Sequence, residues 1–220
     1  MWEGLITHLR RVEYEYQRDK KVELISKNPS YYNSDKPIIV IKPYRSVIEK
    51  SFRKNILQNN NWESPPKEGW VFPSDWFNKF NDIIRMLIVV RYADGVVYLV
   101  NEFKKYCCDN KIKINSYYQA KDEGYYAAHC YLYFPMNIPI QPWNSKQSEI
   151  CIEIQITTQI QEVIKNLLHL YYESARLSEN DDSWKWKFDS EEFSVNYLGH
   201  ILHYLEGLIV EIRDNKEERN

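Results

Sequence analysis

Apolar positions change their period along this chain, and the changes divide it into elements. Leu5, Ile6, Leu9 and Val12 fall on one helical stripe, so residues 1–27 read as a helix within an N-terminal helical region, 1–37. "NPSYYNSDKP" (28–37) is turn chemistry. The next stretch, 38–57, opens with the β-branched run "IIVI", and Pro43 then suits the first turn of a helix. A polar, proline-containing loop is expected over 58–75. "DIIRMLIVVRY" (82–92) is a nearly continuous β-branched run, the pattern of a strand covered on both faces. Helical spacing returns over 94–109, and "KIKINSYYQA" (111–120) alternates as a strand. Another strand follows in "CYLYFPMNIPI" (130–140). In "EICIEIQITTQ" (149–159) Ile150, Ile152, Ile154 and Ile156 share one face, and Cys151, Glu153, Gln155 and Thr157 share the other. An amphipathic helix (160–177), a loop (178–192) and a long final helix within 190–220 complete the chain, with Gly199 and Gly207 weakening that helix slightly. This order predicts an α+β fold, a mixed sheet of about four to five strands flanked by helices, in one domain spanning 1–220.

Composition narrows the picture only a little. The 220 residues carry a net charge of −2, so overall electrostatics demands neither nucleic acid nor membrane. Eighteen tyrosines suit both cores and binding surfaces. The four cysteines, Cys107, Cys108, Cys130 and Cys151, lack zinc-site spacing and read as small hydrophobes in a reducing cytoplasm. No signal-like start and no bilayer-length apolar run is present, so a cytoplasmic protein with no membrane partner is expected.

Two acidic residues stand at informative places. Asp82 begins the strand at 82–92, and Glu153 lies on the polar face of the strand at 149–159. Carboxylates on adjacent strands suit magnesium, which takes one or two of them together with substrate phosphates. On the helix after Pro43, Ser46, Lys50 and Arg53 share a face, with Lys42 just before it, and cations so clustered suit phosphate. Metal ligands beside a phosphate cradle point to phosphoryl or pyrophosphoryl transfer.

The motifs "KPYRSVIEKSFRK", "DIIRMLIVVRYADGVVYLV", "KDEGYYAAH", "IEIQITT" and "LLHLYYE", in that order, resemble the RelA/SpoT synthetase domain, whose small single-domain members are called small alarmone synthetases. The resemblance covers a synthetase core over 38–176. It implies an ATP-dependent, magnesium-dependent pyrophosphokinase, a transferase acting on a ribose 3′-hydroxyl. Asp82 and Glu153 would be metal ligands and, with Tyr125, catalytic residues. Lys42, Ser46, Lys50, Arg53, Arg85 and His129 would bind ATP. Tyr125, Tyr126, Gln155 and His169 would meet the acceptor, with Tyr125 stacking on its base.

The sequence also departs from the family. Val40 and Leu87 stand where arginines usually sandwich the donor adenine, and Arg45, Arg85 or Arg91 are the available substitutes. Thr157 replaces another arginine, and the acceptor loop lacks a lysine-rich stretch. "GYYAAH" with "RYADGV" looks like the toxic branch of toxin–antitoxin systems. That branch implies pyrophosphate transfer to the 3′-terminal adenosine of tRNA, blocking aminoacylation and translation, and a separate small antitoxin. Lys20, Lys21 and Arg91 are the tRNA-binding candidates, with Lys104, Lys105, Lys111 and Lys113 as further basic residues. The alternatives are a guanosine alarmone synthetase using GDP or GTP, a toxin acting on adenine nucleotides, and a non-catalytic binding module. The apolar stripe of the last helix (Val195, Leu198, Ile201, Leu202, Leu205, Leu208, Ile212) reads as packing on the chain's own sheet, with a homo-oligomer or antitoxin interface as the other reading.

Overall fold

The β-branched run at the centre of the sequence forms the strand around which everything else is arranged. In the computed structural model, which describes residues 2–33, 36–122, 124–141, 144–166 and 182–217, this strand is β4 (Ile84–Val90). Before it come helix α1 (Trp2–Lys20), a two-residue ladder of β1 (Tyr32–Asn33) and β2 (Lys36–Pro37), strand β3 (Ile39–Ile41), helix α2 (Tyr44–Phe52) and the short helix α3 (Trp76–Lys79). After it come α4 (Ala93–Asp109), β5 (Lys113–Ala120), β6 (Tyr126–Gln141), β7 (Asn144–Thr158), a helix α5 described over 159–166, and α6 (Glu191–Glu217).

Five strands make one mixed sheet in the order β3-β4-β7-β6-β5. β4 and β7 are parallel, and the other neighbours are antiparallel. The α+β expectation holds. One difference is length. β6 and β7 extend through the segment between the two expected strands and form a long hairpin, paired from Gln141–Asn144 back into the sheet. A second is the end of α1. Lys21 adopts a left-handed conformation (φ 54°), and the chain then runs extended so that Ile25 bridges Val90. That segment continues the sheet edge where the three-residue β3 has already stopped.

The two faces of the sheet have different fates. Met86, Ile88 and Val90 on β4, Ile154 and Ile156 on β7, and Ala128, Cys130 and Leu132 on β6 all point into the core. Leu5, Leu9, Val12 and Tyr16 of α1 and Leu99, Val100, Phe103 and Cys107 of α4 cover them. A smaller cluster of Val47, Val71, Phe80 and Ile83 seats α2 beside the start of β4. The opposite face carries the remaining side chains of the same strands.

Ile154 is fully buried in the middle of this core. Ile154→Ala should cost about 2–5 kcal/mol and Ile154→Val about 1 kcal/mol. Urea denaturation checks this as a lowered midpoint with an unchanged slope.

Candidate active site

Cross-strand register aligns the side chains of the open face in rows. Val40, Arg85, Glu153, Tyr131 and Asn115 form one row across all five strands, and Leu87, Gln155, His129 and Tyr117 form the next. The polar half of the alternating strand β7 therefore lies at the centre of the face opposite the α1–α4 core.

Asp82 sits two residues before β4 and is gripped by two ammonium groups. Lys42 Nζ donates to its Oδ2 at 2.7 Å and Lys50 Nζ to its Oδ1 at 2.7 Å. Lys42 is brought there because its backbone N–H bonds Ile83 O at 2.8 Å, continuing the β3–β4 pairing. Lys50 reaches in from α2, its Nζ 5.0 Å from the centre of the Phe80 ring. Burial pushes the Asp82 carboxyl up, but the hydrogen bonds and charges of the two lysines outweigh it and hold the group below the usual range.

Glu153 is 4% exposed. His129 Nδ1–H donates to its Oε1 at 2.8 Å, and the Tyr131 hydroxyl donates to the same oxygen at 3.2 Å. Burial again pushes the carboxyl up; the His129 contact and Gln155 more than offset it, and the nearby charge of Asp82 opposes them. Asp82 precedes β4 and Glu153 pairs with Arg85 near the start of that strand, so the two carboxylates lie toward the same end of adjacent strands. They offer hard oxygen donors that are already ionised, which suits magnesium. Among the described residues no cluster of three or more His, Cys, Asp or Glu could hold a metal, so the remaining ligands would come from substrate and water.

The other expected site residues divide into those near this pair and those away from it. Ser46 is half-buried and Arg53 exposed on and just beyond α2. Arg85 stands beside Glu153 in the row and makes no ion pair with a described residue. Of the other two arginines considered for the donor base, Arg45 pairs with Glu49 on the outside of α2, and Arg91 pairs with Glu23 at the far end of β4.

Tyr125 lies within electrostatic reach of Glu153, yet its ring is buried rather than offered to a base. Burial, then the charges of Glu162 and Glu153, push its hydroxyl up to about 12. Tyr126 is occupied as well, stacked on His203 with ring centres 3.7 Å apart. Lys20 pairs with Asp214. Lys105 and Lys113 pair with Glu102 and Glu149. His169 lies outside the described residues.

Three residues enter that sequence reasoning missed. Tyr117 is exposed and stacks parallel to His129, centres 5.0 Å apart and planes 4° apart. Its hydroxyl is 3.3 Å from that of Tyr131. Gln119 Oε1 lies 3.1 Å from His129 Nε2. Alternation in "KIKINSYYQA" puts Tyr117 and Gln119 on one face, but only the β5–β6 register sets them opposite the histidine strand.

No protein-family profile and no curated protein matches the sequence. Solved structures do match the fold. A GTP pyrophosphokinase family protein from Streptococcus pneumoniae superposes with a TM-score of 0.62 at 18% identity, over 98% of this chain and 88% of that one. Small alarmone synthetase 2 from Bacillus subtilis gives 0.60 at 16% identity, over 97% and 92%. Small alarmone synthetase 1 from Bacillus subtilis, bound to its product pppGpp, gives 0.59 at 16% identity, over 97% and 91%. The fold is that of the small alarmone synthetases.

A carboxyl held low binds protons more weakly when folded than when unfolded, so its stabilisation is present above the unfolded pKa and lost as pH falls through the folded one. Asp82 and Glu153 have ordinary values of 3.8 and 4.5. The unfolding free energy of the parent should therefore fall as pH drops below these values. Asp82→Asn should flatten part of that decline in a pH series of denaturant titrations, and an unchanged slope would refute the lysine clamp.

Proposed function

We propose that this chain is an ATP-dependent pyrophosphokinase that modifies the 3′-hydroxyl of the terminal adenosine of tRNA, and that it acts as the toxin of a toxin–antitoxin pair. The observation that carries the reading is Asp82, gripped by Lys42 and Lys50 just before β4, with the buried Glu153 opposite Arg85 on the neighbouring strand β7, in a sheet with the alarmone-synthetase fold.

In this reading Lys42, Lys50, Ser46 and Arg53 receive the triphosphate. Its oxygens compete with Asp82 for the two ammonium groups, which frees the carboxylate. Asp82 and Glu153 would hold magnesium, which supplies charge neutralisation on the phosphates when bound. The acceptor oxygen forms a bond to the β-phosphorus, the bond from that phosphorus to the α-phosphate oxygen breaks, and AMP leaves. Glu153 takes the hydroxyl proton, and His129 and Tyr131 keep that carboxylate aimed. Arg85, in one row with Val40 and Glu153, would meet the donor base.

Two features favour a tRNA end as acceptor. The β5–β6 turn is tight, closed by Gly124 N–H to Lys121 O at 2.9 Å and Lys121 N–H to Tyr125 O at 3.0 Å, and among its described residues Lys121 is the one cation. It offers little to grip the phosphates of a free nucleotide. At the same end of the sheet, where β4 finishes, lie Lys20, Lys21 and Arg91; an acceptor-stem backbone would have to draw Lys20 and Arg91 from Asp214 and Glu23. An unstacked terminal adenosine can rest on an aromatic face such as the exposed Tyr117. A separate small antitoxin is the partner this reading expects. A second reading, synthesis of guanosine alarmones from GDP or GTP, is favoured by the pppGpp product bound to the Bacillus subtilis neighbour.

Incubation with γ-labelled ATP and, separately, bulk tRNA, GDP, GTP or AMP decides between them. Label should enter the tRNA 3′ end, and Asp82→Asn or Glu153→Gln should lower transfer by about 100-fold or more. Label in GDP or GTP alone would establish the second reading, and no transfer to any acceptor would defeat both.

A further inference from the structure

Helix α6 does more than finish the chain. Its first half lies against the β5–β6 turn with almost no space between the backbones. Gly124 adopts φ 77°, and a Cβ there would meet Asn196 O at 2.5 Å; a Cβ on Gly199 would meet Gly124 O at 2.5 Å. Two glycines from distant parts of the sequence thus face each other, each making room for the other.

Side chains lock the contact. His200 Nε2–H donates to the Asp122 carbonyl at 2.8 Å, because a carbonyl can only accept. That leaves Nδ1 as the acceptor for the Tyr126 hydroxyl at 2.7 Å. His203 stacks on the Tyr126 ring, planes 14° apart. From the other side, Gln161 of α5 accepts the Tyr126 backbone N–H at 3.1 Å, and Thr157 Oγ1 donates to Tyr126 O at 3.0 Å.

The second half of α6 is anchored elsewhere. Arg213 pairs with Asp94 at the start of α4 at 2.9 Å, its guanidinium over the Tyr92 ring, and Asp214 pairs with Lys20 at the end of α1 at 3.1 Å. The helix is therefore a strut across one end of the sheet, fixed to α1 and α4 and bearing on the turn. None of its hydrogen bonds or ion pairs among the described residues reaches Lys42, Lys50 or Asp82.

We infer that α6 is a positioning element for the acceptor: Gly199 and His200 hold the β5–β6 turn, and with it the hairpin that carries the exposed Tyr117 ring, so that acceptor use depends on this helix while ATP use does not. This rests on the pyrophosphokinase reading above. β5 leads from Tyr117, exposed and stacked on His129, directly into this turn, so a turn that shifts carries that ring with it. Small displacements at a reacting centre cost rate steeply. Gly199 and His200 are positioning residues, acting through the turn.

The test uses the full chain and the variants Gly199→Ala, His200→Ala and His200→Gln, with acceptor and ATP kinetics measured separately and amide hydrogen exchange followed over 120–127. His200→Ala should raise the acceptor KM roughly tenfold and leave the ATP KM within about twofold. Exchange of the turn amides should quicken, and His200→Gln, which can both donate and accept, should recover much of each effect. Gly199→Ala should act in the same direction; if it fails to fold, the His200 pair carries the test. An unchanged acceptor KM, or an equal rise in both KM values, would overturn the inference. If the parent transfers pyrophosphate to no acceptor, the enzymatic reading has failed. The exchange data then test the clamp separately, since turn amides that exchange alike in all variants would show that α6 does not hold the turn.

Discussion

A carboxylate in the middle of a sheet has to be answered by its neighbours, and Glu153 is such a group. Its charge survives burial because His129 and Tyr131 donate to one oxygen from the adjacent strand. Those donors reach it because β6 pairs antiparallel to β7, setting Tyr131 opposite Glu153 and His129 opposite Gln155. On the other side β4 runs parallel, setting Arg85 opposite Glu153 and bringing Asp82 close enough for its charge to be felt. A one-residue slip in either ladder would turn Glu153 into the apolar layer of Leu99 and Phe103 and leave its donors on the wrong face. The two-sidedness of the sheet and the integrity of the charge cluster are one constraint.

The same logic explains why Asp82 sits where it does. It precedes β4 rather than lying in it, so no strand partner supplies its hydrogen bonds. Two lysines from separate elements do so instead, one at the end of β3 and one on α2. α2 is held for that task by a small apolar cluster of its own, Val47 against Val71, Phe80 and Ile83. The cluster is separate from the main core and its role is local: it fixes the angle at which Lys50 approaches.

Much of this was legible in the sequence because it depends on period and spacing. The isoleucine alternation at 150–156 gave both the core face of β7 and the polar face that carries Glu153. The spacing of Ser46, Lys50 and Arg53 placed them along α2 and the turn that follows it. What the sequence could not give was register between distant segments. Tyr117 and Gln119 become neighbours of His129 only through the β5–β6 ladder. The burial of Tyr125 and the capture of Tyr126 by His203 depend on elements more than thirty residues away. Gly199, read as a weak point in a helix, turns out to be the position where that helix touches the turn, a distinction no local propensity contains.

Direction along β4 adds a last constraint. The lysine-clamped Asp82 lies before the strand begins, and Arg91, with the extended segment from α1, lies where it ends. The β5–β6 turn is at that second end, since Ala128 pairs with Ile156 and Val90 with Thr158. The lysine-clamped Asp82 and the turn are thus separated by the length of the strand, and Glu153 lies between them. Arg85 is the arginine on the open face at the level of Glu153, flanked there by Val40 on β3. Arg45 and Arg91 are each engaged by a glutamate outside this row. A donor base approaching from the Lys42 side would therefore meet one guanidinium and an apolar patch of Val40 and Leu87. Under the proposed pyrophosphokinase reading, a flat aromatic base would stack on that single guanidinium.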